Sequence, residues 1–387
     1  MKQHKRIIFI SNSVIPLPDA RGGSVVIYRH LKRFKDDGHH VVVIYLNSLN
    51  VNGQNLSDFE YLCFGKKLWY PPIRKNTPLL TKLRINFTFN HLNNLFKFND
   101  ETDIVLSVFG EVSNLILLKL KKYTKVPYYL FFHDDYVFNK FAAKNFLTNA
   151  DAIKVLKNSD FTFSVSDQLT TLLEENGVSN TVTLYPIPHG YNSTTEDCEK
   201  QIIDKPKLLT SGTTGLIHFD ILKQIGKASK VADATFYCIS QLEHEYYLEL
   251  SEGGVIPQPI FPDAVQLFEF IKKNIDILVV FYSFDAEIEP RLLTSFPSKF
   301  IEYCHLGLPV LIIAPPESSI GNWAKQNNWL SYVGTDDVEQ ISLEITKLKE
   351  LNYWKKCQRQ SLEFARGIFN PELIHGQLTK HLEKINN

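Results

Sequence analysis

Short runs of β-branched and aromatic residues recur along the first half of the chain: RIIFIS (6–11), HVVVIYL (40–46), DIVLSVF (103–109), VPYYLFF (126–132), FTFSVS (161–166) and TVTLYP (181–186). Runs this short and this continuously apolar read as strands buried on both faces. Strands that alternate with helical patterns pair in parallel through crossover helices. GSVVIYRHLKRFKDDG (23–38) is such a helix, amphipathic and ending at a glycine, and further helical stretches fall near 111–122, 149–157 and 167–176. The polar segment 191–206 lacks apolar periodicity and reads as a linker, its core at 196–206. A second series then opens with KLLTSG (207–212) and continues through ATFYCIS (234–240), DILVVFYSF (276–284) and LPVLIIA (308–314), each after a helical pattern. Two helical stretches close the chain, at about 336–367 and 371–386. The expected fold class is α/β, with two Rossmann-like doubly wound domains facing a central cleft. Their expected bounds are 1–195 and 207–366, with 367–387 a terminal helix packing back toward the first domain.

A chain of 387 residues exceeds one comfortable core, so two domains suit its length. Zero formal net charge argues against a dedicated nucleic-acid binder. The five cysteines (63, 198, 238, 304 and 357) are scattered, with no CxxC and no Cys/His cluster. Neither a zinc site nor a disulfide framework is expected, and a reducing cytoplasm fits. The opening MKQHKRIIFISNS carries too short an apolar run for a signal peptide. No apolar stretch approaches the length that spans a bilayer.

The stretch FPSKFIEYCHLGLPVLII (296–313) places Lys299 and Glu302 one helical turn apart, just before Gly307, Pro309 and a β-branched run. It predicts a short helix feeding a buried strand. Ligands of parallel sheets collect at the carboxyl ends of strands, against helix N-termini, where a lysine and a glutamate can serve a phosphate and a sugar hydroxyl. A solvated i, i+3 ion pair produces the same local pattern. Both readings stand at this point.

Five ordered segments carry a family resemblance. They are PDARGGSVVIYRHLKRFKDDGHHVVVI, VPYYLFFHDD, SDFTFSVSDQLTTLLEENGV, VTLYPIPHGYN and SKFIEYCHLGLPVLI. In this order and spacing the chain resembles, over nearly its whole length, a GT-B glycosyltransferase of the retaining family four type (glycosyl transferases group 1). The resemblance implies an N-terminal acceptor-binding domain and a C-terminal domain that binds a nucleotide-sugar. It implies a hexosyltransferase-like enzyme that acts with retention. No metal or other cofactor is expected, because no Asp-x-Asp element sits at a strand end in a donor-like position and helix N-termini with Lys299 can carry the phosphate charge. It assigns His133 to the transferred sugar and Lys299 to the leaving phosphate, as catalytic residues. Donor binding falls to Gly22, Gly23, Ser298, Lys299 and Glu302, with Glu302 on the ribose, while Gly212, Thr213 and Thr214, where the chain departs from the family, read as a small anion nest of amides and hydroxyls for phosphate. Asp134 and Asp135 tempt one toward a paired-carboxylate or metal site. Adjacent residues point apart, however, and a loop- or helix-capping role suits at least one of them.

Two departures stand out. Family members usually carry another glutamate eight positions before the ribose one, where this chain has Thr294. Many also place an arginine and a lysine after the first strand of the second domain. Here SGTTGLIHFDILKQ has no early arginine, its nearest bases are His218 and Lys223, and Glu287, Glu289 and Arg291 are the available substitutes. These departures support one alternative to the transferase, a non-catalytic homologue acting as a binding or scaffold protein; a nucleotide-sugar epimerase of the same fold is a second alternative. From Tyr61 to Asn99 there is no acidic residue, while Lys66, Lys67, Arg74, Lys75, Lys82, Arg84 and Lys97 are interleaved with aromatics. Such a segment suits the anionic surface of a membrane, or equally a solvated basic face beside an ordinary core. On the first reading the acceptor is a surface-glycan precursor or lipid-linked saccharide, handled by a cytoplasmic protein peripheral on the inner face of the cell membrane. No nucleic acid is expected.

Overall fold

The computed structural model describes residues 4–18, 22–46, 56–63, 78–110, 113–135, 138, 149–189, 204–212, 218–240, 244–285 and 290–383. Two compact units divide the chain: Met1–Ile187 with Ile374–Asn387, and Pro188–Leu373. Residues 190–203, most of the segment read as a linker, lie outside the described residues.

Among the described residues of the first unit, seven parallel strands stand in the order β3-β2-β1-β4-β5-β6-β7. They are β1 (Arg6–Ser11), β2 (His40–Tyr45), β3 (Glu60–Cys63), β4 (Asp103–Val108), β5 (Tyr128–Phe132), β6 (Phe161–Ser164) and β7 (Thr181–Thr183). The order reverses direction between β1 and β4, which pair from Arg6↔Asp103 to Phe9↔Leu106. The helices are α1 (Gly23–Asp36), α2 (Pro78–Phe96), α3 (Asn114–Tyr123), α4 (Asn149–Asn158) and α5 (Asp167–Glu175). Strand β6 stops short of its apolar run because Ser166 caps α5, accepting the amide of Leu169. The core joins Ile7, Phe9, Val41, Val43, Leu106, Tyr129 and Phe131 of the sheet to Ile27 and Leu31 of α1. Ile374, Leu378 and Leu382 of the terminal helix join the same core, at steps of four on one helix face.

Among the described residues of the second unit, six parallel strands stand in the order β10-β9-β8-β11-β12-β13. They are β8 (Lys207–Ser211), β9 (Thr235–Ile239), β10 (Val255–Gln258), β11 (Ile277–Phe281), β12 (Val310–Ile313) and β13 (Tyr332–Val333). Its helices are α6 (Phe219–Val231), α7 (His244–Glu252), α8 (Ala264–Asn274), α9 (Ser298–Cys304), α10 (Ser319–Gln326), α11 (Val338–Lys347) and α12 (Leu351–Arg366), and α13 (Pro371–Glu383) ends the described chain. The stretch read as one helix, 336–367, is two. Glu350 is extended (φ −72, ψ 114), so α11 packs on α6 while α12 packs on α9 and β12. No single straight helix makes both contacts. Helix α9 is anchored by an aromatic cluster: the Phe300 ring lies 5.0 Å from both Trp323 and Trp329, edge to face, and 5.7 Å from Phe369.

Candidate functional site

In parallel sheets of this winding, ligands gather outside the carboxyl ends of the strands where the order reverses. In the first unit that end carries the loop from β1 to α1 and the residues after β5. Gly22 sits at φ 58, ψ −135, a conformation that L side chains rarely adopt, so glycine is required for the chain to enter α1. Gly23 is required for a different reason. A Cβ built there would stand 2.5 Å from His133 Nδ1, so the His133 ring lies directly against the first turn of α1. His133 is half-buried, its ring 6.3 Å from Phe131. Desolvation lowers its pKa below 6.5, partly countered by the Asp134 carboxylate. The ring is therefore neutral near pH 7. Asp135, 4% exposed, accepts the Phe138 amide at 2.8 Å, which is a loop-capping role.

Polar side chains missed by sequence reasoning brace the same end of the sheet. Ser11 Oγ accepts the amides of Ser13 and Val14, and Asn12 Oδ1 accepts that of Ser113. Asn114 accepts the Gly110 amide and donates to Ser107 Oγ and the Val108 carbonyl. Isolated serines and asparagines in loops give no sequence signal for such a brace. A recess of about 410 Å³ lined by His4, Arg6, His40 and Lys97 lies at the opposite ends of these strands, away from His133.

In the second unit the order reverses between β8 and β11, and Gly212 follows β8 directly. Its φ of 140 again demands glycine. The Lys299 side chain crosses it, so that a Cβ on Gly212 would meet Lys299 Cε at 3.7 Å. Glu302, one turn further along α9, is 8% exposed and accepts the His189 amide through Oε2 at 3.1 Å. It is not a solvated surface glutamate. Ser298 is half-buried in the first turn of α9. Tyr303, absent from the sequence reading, ties α9 to the end of β8: its phenol oxygen accepts the Ser211 amide at 2.7 Å and lies 3.0 Å from Ser211 Oγ. Burial pushes that phenol up to about 12, so it stays neutral.

Thr213, Thr214, Glu287 and Glu289 lie outside the described residues, as do Lys66, Lys67, Arg74 and Lys75. Thr294 is half-buried. Lys223, one of the two bases closest to the arginine-free loop, is held by Glu249 at 2.6 Å and lies 5.0 Å from the Phe219 ring centre. It is engaged on α6 rather than at the end of β8. His218 stands edge-on to Phe281, with ring centres 5.7 Å apart.

No protein-family model matches this sequence, and no curated protein matches it. Solved structures match over nearly the whole length. A glycosyltransferase from Rickettsia africae has a TM-score of 0.68 at 16% identity, covering 99% of this chain and 99% of its own. The lipopolysaccharide outer core galactosyltransferase WaaB has a TM-score of 0.65 at 14% identity, covering 98% of this chain and 99% of its own. Anabaena HepE, solved in complex with UDP-glucose, has a TM-score of 0.65 at 12% identity, covering 98% of this chain and all of its own. The likeness is one of fold. This chain has the GT-B fold of glycosyltransferases, built from two doubly wound α/β units.

Proposed function

We propose that the protein is a glycosyltransferase that moves a sugar from a nucleotide-sugar donor to a surface-glycan or lipid-linked saccharide acceptor, with retention at the anomeric carbon. The observation that carries this reading is the second unit's own arrangement. A buried carboxylate, Glu302, and a lysine, Lys299, share one short helix beside the glycine that ends β8. A nucleotide-sugar asks for these groups: an acceptor for two vicinal ribose hydroxyls, a cation for the diphosphate and a close backbone approach. That HepE of the same fold is solved with UDP-glucose favours a uridine nucleotide as the first donor to test. In this reading Ser298, Gly212, Thr213 and Thr214 add polar contacts to the phosphates. Gly22 and Gly23 let the backbone approach the donor closely. His133 keeps the role the resemblance gives it, contact to the transferred sugar.

The chemistry follows from charge. As the glycosidic bond breaks, negative charge accumulates on the leaving phosphate, and Lys299 stabilises it more in the transition state than in the ground state. The same phosphate oxygen takes the acceptor hydroxyl's proton, so no separate base is needed on the protein. A second reading, a binding protein without turnover, is favoured by Thr294 and by the engagement of Lys223 with Glu249, which leaves the end of β8 without that lysine.

Nucleotide release from a panel of nucleotide-sugars, with and without saccharide acceptors, separates these readings. Release supports the transferase. An isomerised sugar points to an epimerase, and binding without reaction to the scaffold. Glu302→Gln is expected to weaken nucleotide affinity by roughly 1.5–3 kcal/mol, the range for a hydrogen bond to a charged group. Lys299→Ala is expected to lower turnover at saturating donor as well. If both variants keep parental affinity and rate, α9 is not the donor helix.

A further inference from the structure

Helix α2 presents large apolar side chains on two flanks. Ile85, Phe89 and Leu92, with Thr88, are buried. Leu83, Phe87 and Leu95 are each 56% exposed. Each step of four residues turns about 40°, so Leu83 and Phe87 lie side by side and the row winds about 120° around the helix by Leu95. His91 fills the same row, its ring stacked on Phe87 with centres 6.4 Å apart. At the end of neighbouring α3, Tyr123 is 59% exposed and stacks on Phe89 at 5.5 Å. Lys122 Nζ lies 5.2 Å from the centre of the Tyr123 ring. An ordered apolar row of this kind on a surface marks a contact with something other than water.

Charge selects the occupant. Residues 78–98 contain no aspartate or glutamate but include Lys82, Arg84 and Lys97. Lys122 and Lys125 are exposed at the end of α3. The first acids beyond α2 are Asp100 and Glu101, where Asp100 accepts the Lys125 amide and the Glu101 carbonyl accepts from Lys5. A second copy of the chain docked through this flank would set cations against cations. An anionic bilayer offers the complement: acyl chains for leucine and phenylalanine, an interface for tyrosine, and phosphates for lysine and arginine.

We propose that the outer flank of α2, together with Tyr123, is a docking surface for an anionic lipid bilayer, with Leu83, Phe87 and Leu95 entering the acyl boundary. This surface is independent of the transferase reading, and its test uses no sugar. Flotation of the full chain with vesicles of mixed phosphatidylglycerol and phosphatidylcholine, and of phosphatidylcholine alone, measures the partition at low and high salt. The parent is expected on the anionic vesicles, with part of the binding surviving high salt because apolar insertion is not screened. Replacing Leu83, Phe87 and Leu95 by serine should lower the partition by at least about tenfold, since these groups no longer leave water. Lys122→Gln with Lys125→Gln should remove mainly the salt-sensitive part. Melting curves check folding, and Phe87→Ser alone provides a milder variant with a partial loss. Three results overturn the proposal: no binding of the parent to anionic vesicles, equal binding by parent and serine variants, or a dimer in light scattering that the serine variants dissolve without a vesicle effect.

Discussion

A methyl group at position 23 would meet His133 Nδ1 at 2.5 Å, so Gly23→Ala must push the ring away from α1 or bend the helix start. Overpacking of this kind costs typically about 1–3 kcal/mol, and some of it is relieved because His133 is only half-buried. If His133 contacts the transferred sugar as proposed, the expected outcome is a modest loss of melting temperature and a larger loss of turnover, roughly tenfold or more. Parallel melting and rate measurements check it; a variant with parental turnover would remove His133 from the reaction. The glycine pair was legible in the sequence, but the division of labour within it was not. Backbone freedom at Gly22 and side-chain clearance at Gly23 have the same one-letter signature, and only the distance to a ring 110 positions away in the chain separates them.

At the scale of elements, α13 closes the first unit through a histidine contact as well as through its apolar face. His30 of α1 and His375 of α13 approach at 3.1 Å between their Nδ1 atoms, with rings stacked 5.4 Å apart and His30 against Phe131. Burial drives the His30 pKa well below 6.5, helped by His375, Arg33, His133 and Arg29 around it; Asp37 lies 3.8 Å from His375 Nε2. His30 is thus neutral when folded and gains a proton on unfolding below pH 6.5. Its contribution to stability is complete above the ordinary imidazole value and is lost as pH falls from there toward the folded value. One extra proton bound by the unfolded chain makes a slope of up to about 1.4 kcal/mol per pH unit. Melting temperature is therefore expected to drop on acidification below pH 6.5, and less steeply in His30→Gln. Parallel slopes in the two proteins would contradict the assignment. Other elements show why periodicity misses what it misses. Helix α2 is apolar on two flanks, so its sequence lacks the polar contrast that marks a helix. Strand β3 at the sheet edge, largely exposed or half-buried along its length, lacks the apolar run that marks a strand.

For the whole molecule, the proposed donor chemistry rests on Lys299 and backbone groups for phosphate charge, so turnover is expected to persist in excess chelator. Complete loss in chelator, restored by magnesium or manganese, would show that a metal carries the charge instead. Among the described residues, no helix is long and apolar enough to cross a membrane. The sequence by itself determined the parallel α/β class, both series of buried strands and the place of α9 between β11 and β12. Those features follow from local sterics and from the burial of continuous apolar runs, which repeat at short range and so leave a readable pattern. Tertiary structure alone decided that 336–367 breaks into two helices, that Lys223 is held by Glu249, and that Glu302 is buried on the His189 amide. It also decided that Tyr303 grips Ser211 across 92 positions. Contacts between residues far apart in the chain depend on how finished elements pack, and that packing leaves no periodic trace in either partner's own stretch of sequence.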